Sequence, residues 1–152
     1  MIVKLLPRQA DNTYGGHKTA LWLLSLFLLM KIGIGLASIF NGHDAASSAD
    51  GIPLDTFTPA AAHAVVTLFA LLGIAILMLC LVCILVLVRY RALVPLMFAI
   101  FLLEHLSRKL ALLLLPIERI GGSEGSVVNL AILAILVAGL CLSLWQRSGS
   151  AQ

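Results

Sequence analysis

Four apolar stretches separated by short polar segments dominate the chain. They cover residues 19–40, 60–88, 92–115 and 126–145. Each contains at least 20 residues, which is enough for a helix to cross a hydrocarbon core of about 30 Å at about 1.5 Å per residue. The pattern therefore predicts an all-α membrane protein in which four transmembrane helices form an antiparallel up-down bundle.

The polar segments are too short to form a separate soluble domain. We interpret residues 1–18 as a cytoplasmic N-terminal segment, 19–146 as one transmembrane domain and 147–152 as a cytoplasmic tail. Residues 41–59 contain three aspartates and no Lys or Arg, and we expect them to form an outer loop. The second stretch is longer than the hydrocarbon core requires, so we expect it to tilt or to extend beyond the membrane surface.

Positive charges predict the orientation, because bacterial membrane proteins retain Lys and Arg on the cytoplasmic side. With both termini inside, Arg119 is the one basic residue in the outer loops, and six lie inside: Lys4, Arg8, Lys18, Arg89, Arg91 and Arg147. We therefore expect a multi-pass protein of the plasma membrane, of the bacterial inner-membrane type, with cytoplasmic N and C termini. The short connection Arg89-Tyr90-Arg91 should make the second and third spans antiparallel neighbours.

The first stretch has an alternative interpretation as a cleaved signal peptide. Basic residues precede it, and Gly35-Leu36-Ala37 resembles a small-x-small cleavage site. However, Lys31 interrupts the stretch, whose 22 residues exceed the roughly 7–15 apolar residues of a signal peptide. We therefore favour a retained span.

Composition supports a membrane protein and argues against a nucleic-acid binder. Hydrophobic residues make up 61% of the chain and charged residues 11%, against roughly 45–50% and 25% in soluble proteins. The formal net charge of +3 includes no run of five basic residues, so no nucleic-acid partner is predicted. The three cysteines all lie in apolar stretches, which implies no disulfide framework.

Five ionisable residues lie inside the predicted spans, where charge is expensive and usually finds a partner. We call them the polar cluster: Lys31, Glu104, His105, Arg108 and Lys109. At about 100° per residue, the four in the third span fall within about 140° and share one helix face. Glu104 and Arg108 have the i, i+4 spacing of an intrahelical ion pair. Lys31 and Glu104 each lie 12 residues from the inner start of their spans, or about 18 Å deep, so a pair between the two helices is geometrically allowed.

The polar cluster has two interpretations. In the first, it is a buried network that fixes helix register, with Lys109 reaching the outer interface. In the second, it is a binding site, because three bases against one acid leave +2, or +3 if His105 is protonated. The balancing anion would then be a lipid phosphate, a small anion or a carboxylate from another subunit.

Two other groups of residues suggest chemistry that their positions do not support. Cys80 and Cys83 have CxxC spacing but lie near the inner end of the second span, away from the outer surface where a disulfide-generating enzyme would need them. His63 and His105 differ in predicted depth by about 10 Å, which disfavours a shared haem. No catalytic residue, metal or cofactor is predicted.

Small residues in two spans are spaced for close helix packing. Gly33 and Ala37 form a small-xxx-small pattern in the first span, as do Ala134 and Ala138 in the fourth. We expect these patterns to pack within one chain rather than to form a dimer interface. The Gly-rich segment 121–125 is read as a turn into the fourth span.

These features favour a non-enzymatic accessory or partner-binding subunit in the lipid bilayer. Its third helix would present the polar cluster to a larger membrane protein or, in a homo-oligomer, to a second copy. The alternative is a small oligomeric transporter, or a protein that binds an anionic lipid or small anion. A membrane enzyme ranks third.

Overall fold

The computed structural model describes residues 10–116 and 124–145, and within them the chain is helical with turns and contains no strand. Four helices of 21 to 31 residues make up most of it. They are α1 Lys18–Phe40, α2 Pro59–Arg89, α3 Val94–Leu114 and α4 Glu124–Leu144. Their ends lie within two residues of the predicted spans. The Gly-rich turn at Gly121 and Gly122 lies outside the described residues, as do Lys4, Arg8, Arg119 and Arg147.

Two of the helices, α1 and α2, are long and apolar enough to cross a membrane. The helix α3 has a comparable length, but it carries Glu104, Arg108 and Lys109. In α4 the described apolar stretch Val128–Leu144 is shorter. The chain is therefore all-helical in its described parts, with two candidate membrane-spanning helices.

Local chemistry fixes where the first two helices begin. The His17 Nδ1 atom accepts a hydrogen bond from the Thr19 backbone N–H, and the Thr58 hydroxyl accepts one from the Ala61 N–H. Each satisfies a donor that the first helical turn leaves without a backbone partner. Pro59 suits the first position of α2 because it has no N–H to lose.

The helices α1 and α2 pack extensively against each other through facing glycines. A Cβ atom added at Gly73 would lie 2.6 Å from the Gly35 carbonyl oxygen, and one added at Gly35 would lie 3.2 Å from the Gly73 carbonyl oxygen. The two backbones therefore touch, and neither position has room for a side chain.

The predicted small-residue patterns do not form the helix contacts. Gly33 and Ala37 are exposed on α1, and nothing lies within 4 Å of a Cβ added at Gly33. The small residue that packs is Gly35, two positions and therefore about 200° further round the helix. In α4, Ala134 and Ala138 are likewise exposed. The expectation that these two patterns pack within the chain is wrong, because the large buried side chains set the rotation of each helix.

Aromatic side chains organise the packing of α3. Phe98 and Phe101 are 0% and 1% exposed, and Phe98 occupies the space that a side chain at Gly139 of α4 would need. The helix α3 accordingly packs mainly on α4, and α4 also packs on α1. Contact between α2 and α3 is limited, although their connection is short. The prediction that these two helices are close neighbours rested on the short turn between them. A short turn does not determine how widely two helices diverge beyond it.

The segment predicted as an outer loop is largely helical and partly buried. It contains an α-helical turn at Gly42–Asp44, a π-helical turn at Ala45–Ala49 and a 3-10 turn at Leu54–Thr56. Ala46 and Leu54 are 0% and 3% exposed. Apolar side chains therefore hold this segment against the helices, and its aspartates lie at the same end of the bundle. We call this end the acidic end.

Residues 10–17 lie across the opposite end of the bundle. The His17 N–H donates to the Leu142 carbonyl over 3.1 Å, and the Ala92 N–H donates to the Asp11 carbonyl over 3.3 Å. These bonds bring together the start of α1, the α2–α3 turn and the end of α4. We call this the basic end, after Lys18, Arg89 and Arg91.

Candidate functional site

The centre of the polar cluster is an ion pair between α1 and α3. The Lys31 Nζ atom donates to the Glu104 carboxylate over 2.9 Å. The Lys31 side chain is 8% exposed and that of Glu104 is 31% exposed. Depth counting allowed this pair, and the structure contains it. It joins two helices whose backbones otherwise contact each other little.

Aromatic rings lie beside the ion pair, one helical turn towards the basic end. The Phe27 and Phe101 rings meet edge to face, with their centroids 5.0 Å apart and their planes at 71°. The Lys31 ammonium lies 5.8 Å from the Phe27 centroid. Rings in this geometry attract one another and also favour a nearby cation. The ammonium therefore contacts one carboxylate and one aromatic face.

Arg108 does not pair with Glu104, contrary to the intrahelical ion pair predicted from their spacing. Glu104 binds Lys31, and the Arg108 guanidinium lies 3.9 Å from the Asp50 carboxylate. The two side chains are 44% and 31% exposed, so this second ion pair is weak. Asp50 reaches Arg108 because the segment that follows α1 folds back onto the bundle.

The Asp50 contact changes the charge balance at the polar cluster. Three bases against one acid become three bases against two acids once Asp50 is included, which leaves +1 with His105 neutral. Lys109 is exposed and has no acidic partner within the described ranges. The excess positive charge on which the sequence argument depended is therefore smaller and lies at Lys109.

The four α3 residues of the polar cluster do not share one environment. His105 is 8% exposed and faces the bundle, Glu104 is half-buried, and Arg108 and Lys109 are exposed. The structure thus brings together Lys31 and Glu104, and it leaves Lys109 on the outside. The four residues do lie on one half of the α3 surface, as their spacing predicts. Part of that surface faces the bundle and part faces away from it.

The half of α3 nearer the acidic end, which we call its outer half, is largely uncovered within the described structure. From Leu106 to Pro116 every residue except Leu112 is exposed. By contrast, Val94, Met97 and Phe98 in the first half are at most 2% exposed. The helix is therefore packed at the basic end and free towards the acidic end.

The cysteines and histidines contribute no second site among the described residues. Cys80 and Cys83 are free thiols buried in the hydrophobic core, a position that supports a packing role. His63 is exposed in the first turns of α2. No group of three or more His, Cys, Asp and Glu side chains in the described part of the chain could hold a metal ion.

A cavity that the sequence did not predict lies at the basic end. It has a volume of about 750 Å³ and is bounded by residues 10–17, α1 and the end of α2. Its wall contains Asn12, Tyr14, Gly15, Gly16, Lys18, Leu21, Trp22, Ser25, Leu87 and Arg91. The sequence feature that could have indicated this cavity is the glycine pair that follows Tyr14. A Cβ at Gly16 would lie 2.5 Å from the Ser143 carbonyl oxygen, so this residue must be Gly for the segment to lie against α4.

No family model, curated protein or solved structure compared with the chain matches it.

Proposed function

We propose that the chain crosses the membrane four times, in a bacterial inner membrane, with both termini on the cytoplasmic side. The lengths of α3 and α4, 21 residues each, support this, since about 20 residues span the hydrocarbon core. Trp22 and Trp145 support it further. They are 78% and 70% exposed, and both lie at the basic end, as expected of an aromatic belt at the cytoplasmic interface.

The topology can be tested by labelling single cysteines with a membrane-impermeant maleimide. In a Cys141→Ser background, a cysteine at Ala10 should react only after the membrane is permeabilised, and one at Asp55 should react in intact cells. The reverse labelling pattern would show that the chain has the opposite orientation in the membrane. Equal labelling of both positions in intact cells would mean that α1, the long helix between them, does not cross the membrane.

We further propose that the protein is a non-enzymatic subunit that binds a larger membrane protein through the outer half of α3. The observation behind this proposal is that polar side chains lie on a helix that the bundle does not cover. Arg108 and Lys109 are six and five residues before the end of α3, or about 9 and 8 Å from it. A charged side chain exposed to lipid at that depth raises the free energy of the protein, and the increase is smaller the nearer the charge lies to the interface.

The chemistry of α3 indicates the kind of partner. Lys109 lacks an acidic partner in the described structure, and exposed leucines surround it. A partner helix with a carboxylate near its outer end would pair with Lys109 and pack on those leucines. Such interhelical polar contacts contribute modestly to association in membranes, and apolar packing contributes the rest.

Site-specific photocrosslinking tests this proposal with a matched control. A photoreactive amino acid replaces Leu110 on α3 or Leu81 on α2, which are 56% and 57% exposed. We expect a defined adduct with a larger membrane protein at position 110 and none at position 81. Adding Lys109→Glu should abolish the adduct, and Lys109→Arg should retain it.

Two outcomes would contradict the partner-binding role. An adduct of twice the chain's mass would mean that a second copy covers α3. Equal, diffuse labelling at both positions would mean that both face lipid alone.

A further inference from the structure

The cavity at the basic end has two positive charges on its wall. Lys18 and Arg91 line it, no acidic side chain does so among the described residues, and neither base takes part in an ion pair there. The Arg91 Nε donates to the Leu87 carbonyl over 3.0 Å, which steadies the side chain and leaves its terminal N–H groups for another acceptor. The cavity therefore favours an anion.

Tyr14 adds an uncharged side chain to the same wall, and its one O–H already has an acceptor. Its hydroxyl donates to the His17 carbonyl over 3.2 Å, and burial raises the pKa of Tyr14 to about 12. A phenol is uncharged at neutral pH with or without this shift, so Tyr14 does not repel an anion.

The cavity becomes apolar with depth along α1. Lys18, Leu21 and Ser25 line it from successive turns, so it extends about 10 Å along the helix. The Ser25 hydroxyl donates to the Leu21 carbonyl over 2.9 Å and is thus already satisfied. Leu21 and Leu87 form the inner wall, while exposed Trp22 lies at the side where interfacial tryptophans meet headgroups. A charged rim above an apolar interior fits an amphiphile better than a small soluble ion.

We propose that this cavity binds an anionic phospholipid, with Lys18 and Arg91 on its phosphate and an acyl chain along Leu21 and Leu87. Arg donates several N–H groups to phosphate oxygens and Lys supplies a compact positive charge, so the pair suits a phosphodiester. The inference requires only that α1 and α2 cross a membrane. It is independent of the partner proposed for α3.

Native mass spectrometry of the full chain in detergent micelles tests the site. The protein is titrated with phosphatidylglycerol, with phosphatidylcholine of the same chain length, and with inorganic phosphate as competitor. Lys18→Gln with Arg91→Gln should weaken phosphatidylglycerol binding by about 25-fold, from about fivefold for each cation. The charge-matched control, Arg89→Gln with Lys109→Gln, removes two bases that do not line the cavity and should cause no comparable loss.

A charge-preserving variant, Lys18→Arg with Arg91→Lys, should bind nearly as well as the natural chain. A second measurement leaves the cavity unaltered. In a Trp145→Phe background the remaining tryptophan is Trp22, and brominated phosphatidylglycerol should quench its fluorescence more than brominated phosphatidylcholine does.

Several results would overturn the site. The first is an equal loss of phosphatidylglycerol binding in the cavity variant and its control. The second is equal binding of the two lipids, or equal quenching by them. The third is full displacement of the lipid by inorganic phosphate, which would indicate a soluble anion as ligand. Loss of lipid selectivity with unchanged crosslinking at position 110 would reject this site alone and leave the α3 partner intact.

Discussion

Replacing Lys31 with methionine removes one half of the ion pair that joins α1 to α3. The carboxylate of Glu104 would then remain without its 2.9 Å partner. Breaking a buried ion pair by removing one side typically costs about 3–5 kcal/mol. Since Glu104 is 31% exposed, solvent can partly compensate its charge, and we expect the lower end, about 3 kcal/mol.

The reciprocal and double variants make this argument quantitative. Glu104→Gln leaves the more buried member, Lys31 at 8% exposure, and should destabilise by about 4 kcal/mol, towards the upper part of that range. Lys31→Met with Glu104→Leu removes both charges. It should lie within about 1 kcal/mol of the natural chain, because apolar replacement of a whole buried pair is often nearly neutral.

The free energy of unfolding can be measured in mixed micelles by following helix content with circular dichroism as denaturing detergent increases. Lys109→Met is the control, because this exposed lysine has no acidic partner in the described residues, and its effect should stay within about 0.5 kcal/mol. A harmless Lys31→Met, or single effects that simply add in the double variant, would refute the ion-pair argument.

Three further predictions concern packing, the weaker ion pair and pH. Gly139→Ala should destabilise the protein by about 1–3 kcal/mol, because the added Cβ would overlap the Phe98 ring. The control Gly33→Ala, where nothing lies within 4 Å of the added Cβ, should be neutral or stabilise by up to about 1 kcal/mol. Equal unfolding midpoints for the two variants would contradict this difference. Asp50→Asn should change stability by less than about 1 kcal/mol, because the pair is half-exposed, and a larger loss on denaturant unfolding would show that it is shielded. Burial raises the pKa of Tyr14 from 10.0 to about 12. The unfolded chain therefore loses this proton first, and stability falls as the pH rises from 10 to 12. Tyr14→Phe should remove this component of alkaline unfolding, and an unchanged pH profile of stability would show that Tyr14 does not contribute to it.

The positions of the helices could be predicted from the sequence because the apolar stretches are long and the breaks between them polar. The Lys31–Glu104 pair was accessible for a related reason. Residue counts give depth along a helix, and equal depths allow contact between two helices. Burial of the Asp44–Asp55 region could not be predicted, because its apolar contacts come from Ala46 and Leu54, which look unremarkable in a polar segment.

Contacts that depend on helix rotation were predicted poorly. Gly33 matched a packing pattern, yet Gly35 makes the contact with Gly73. Glu104 and Arg108 had ion-pair spacing, yet each has a partner from elsewhere in the chain. Spacing along one helix restricts which residues are neighbours on that helix, but the partner helix and its rotation decide which of them meet.

By itself, the sequence determined the helical class, the extent of the apolar stretches and the separation of basic from acidic segments, because each follows from local composition. Only the tertiary structure decided that Asp50 lies beside Arg108, that the outer half of α3 is uncovered, and that Lys18 and Arg91 line one cavity. These features join residues distant along the chain. Their positions depend on how the helices rotate and diverge, which the packing of large side chains such as Phe98 and close contacts such as that of Gly35 with Gly73 set together.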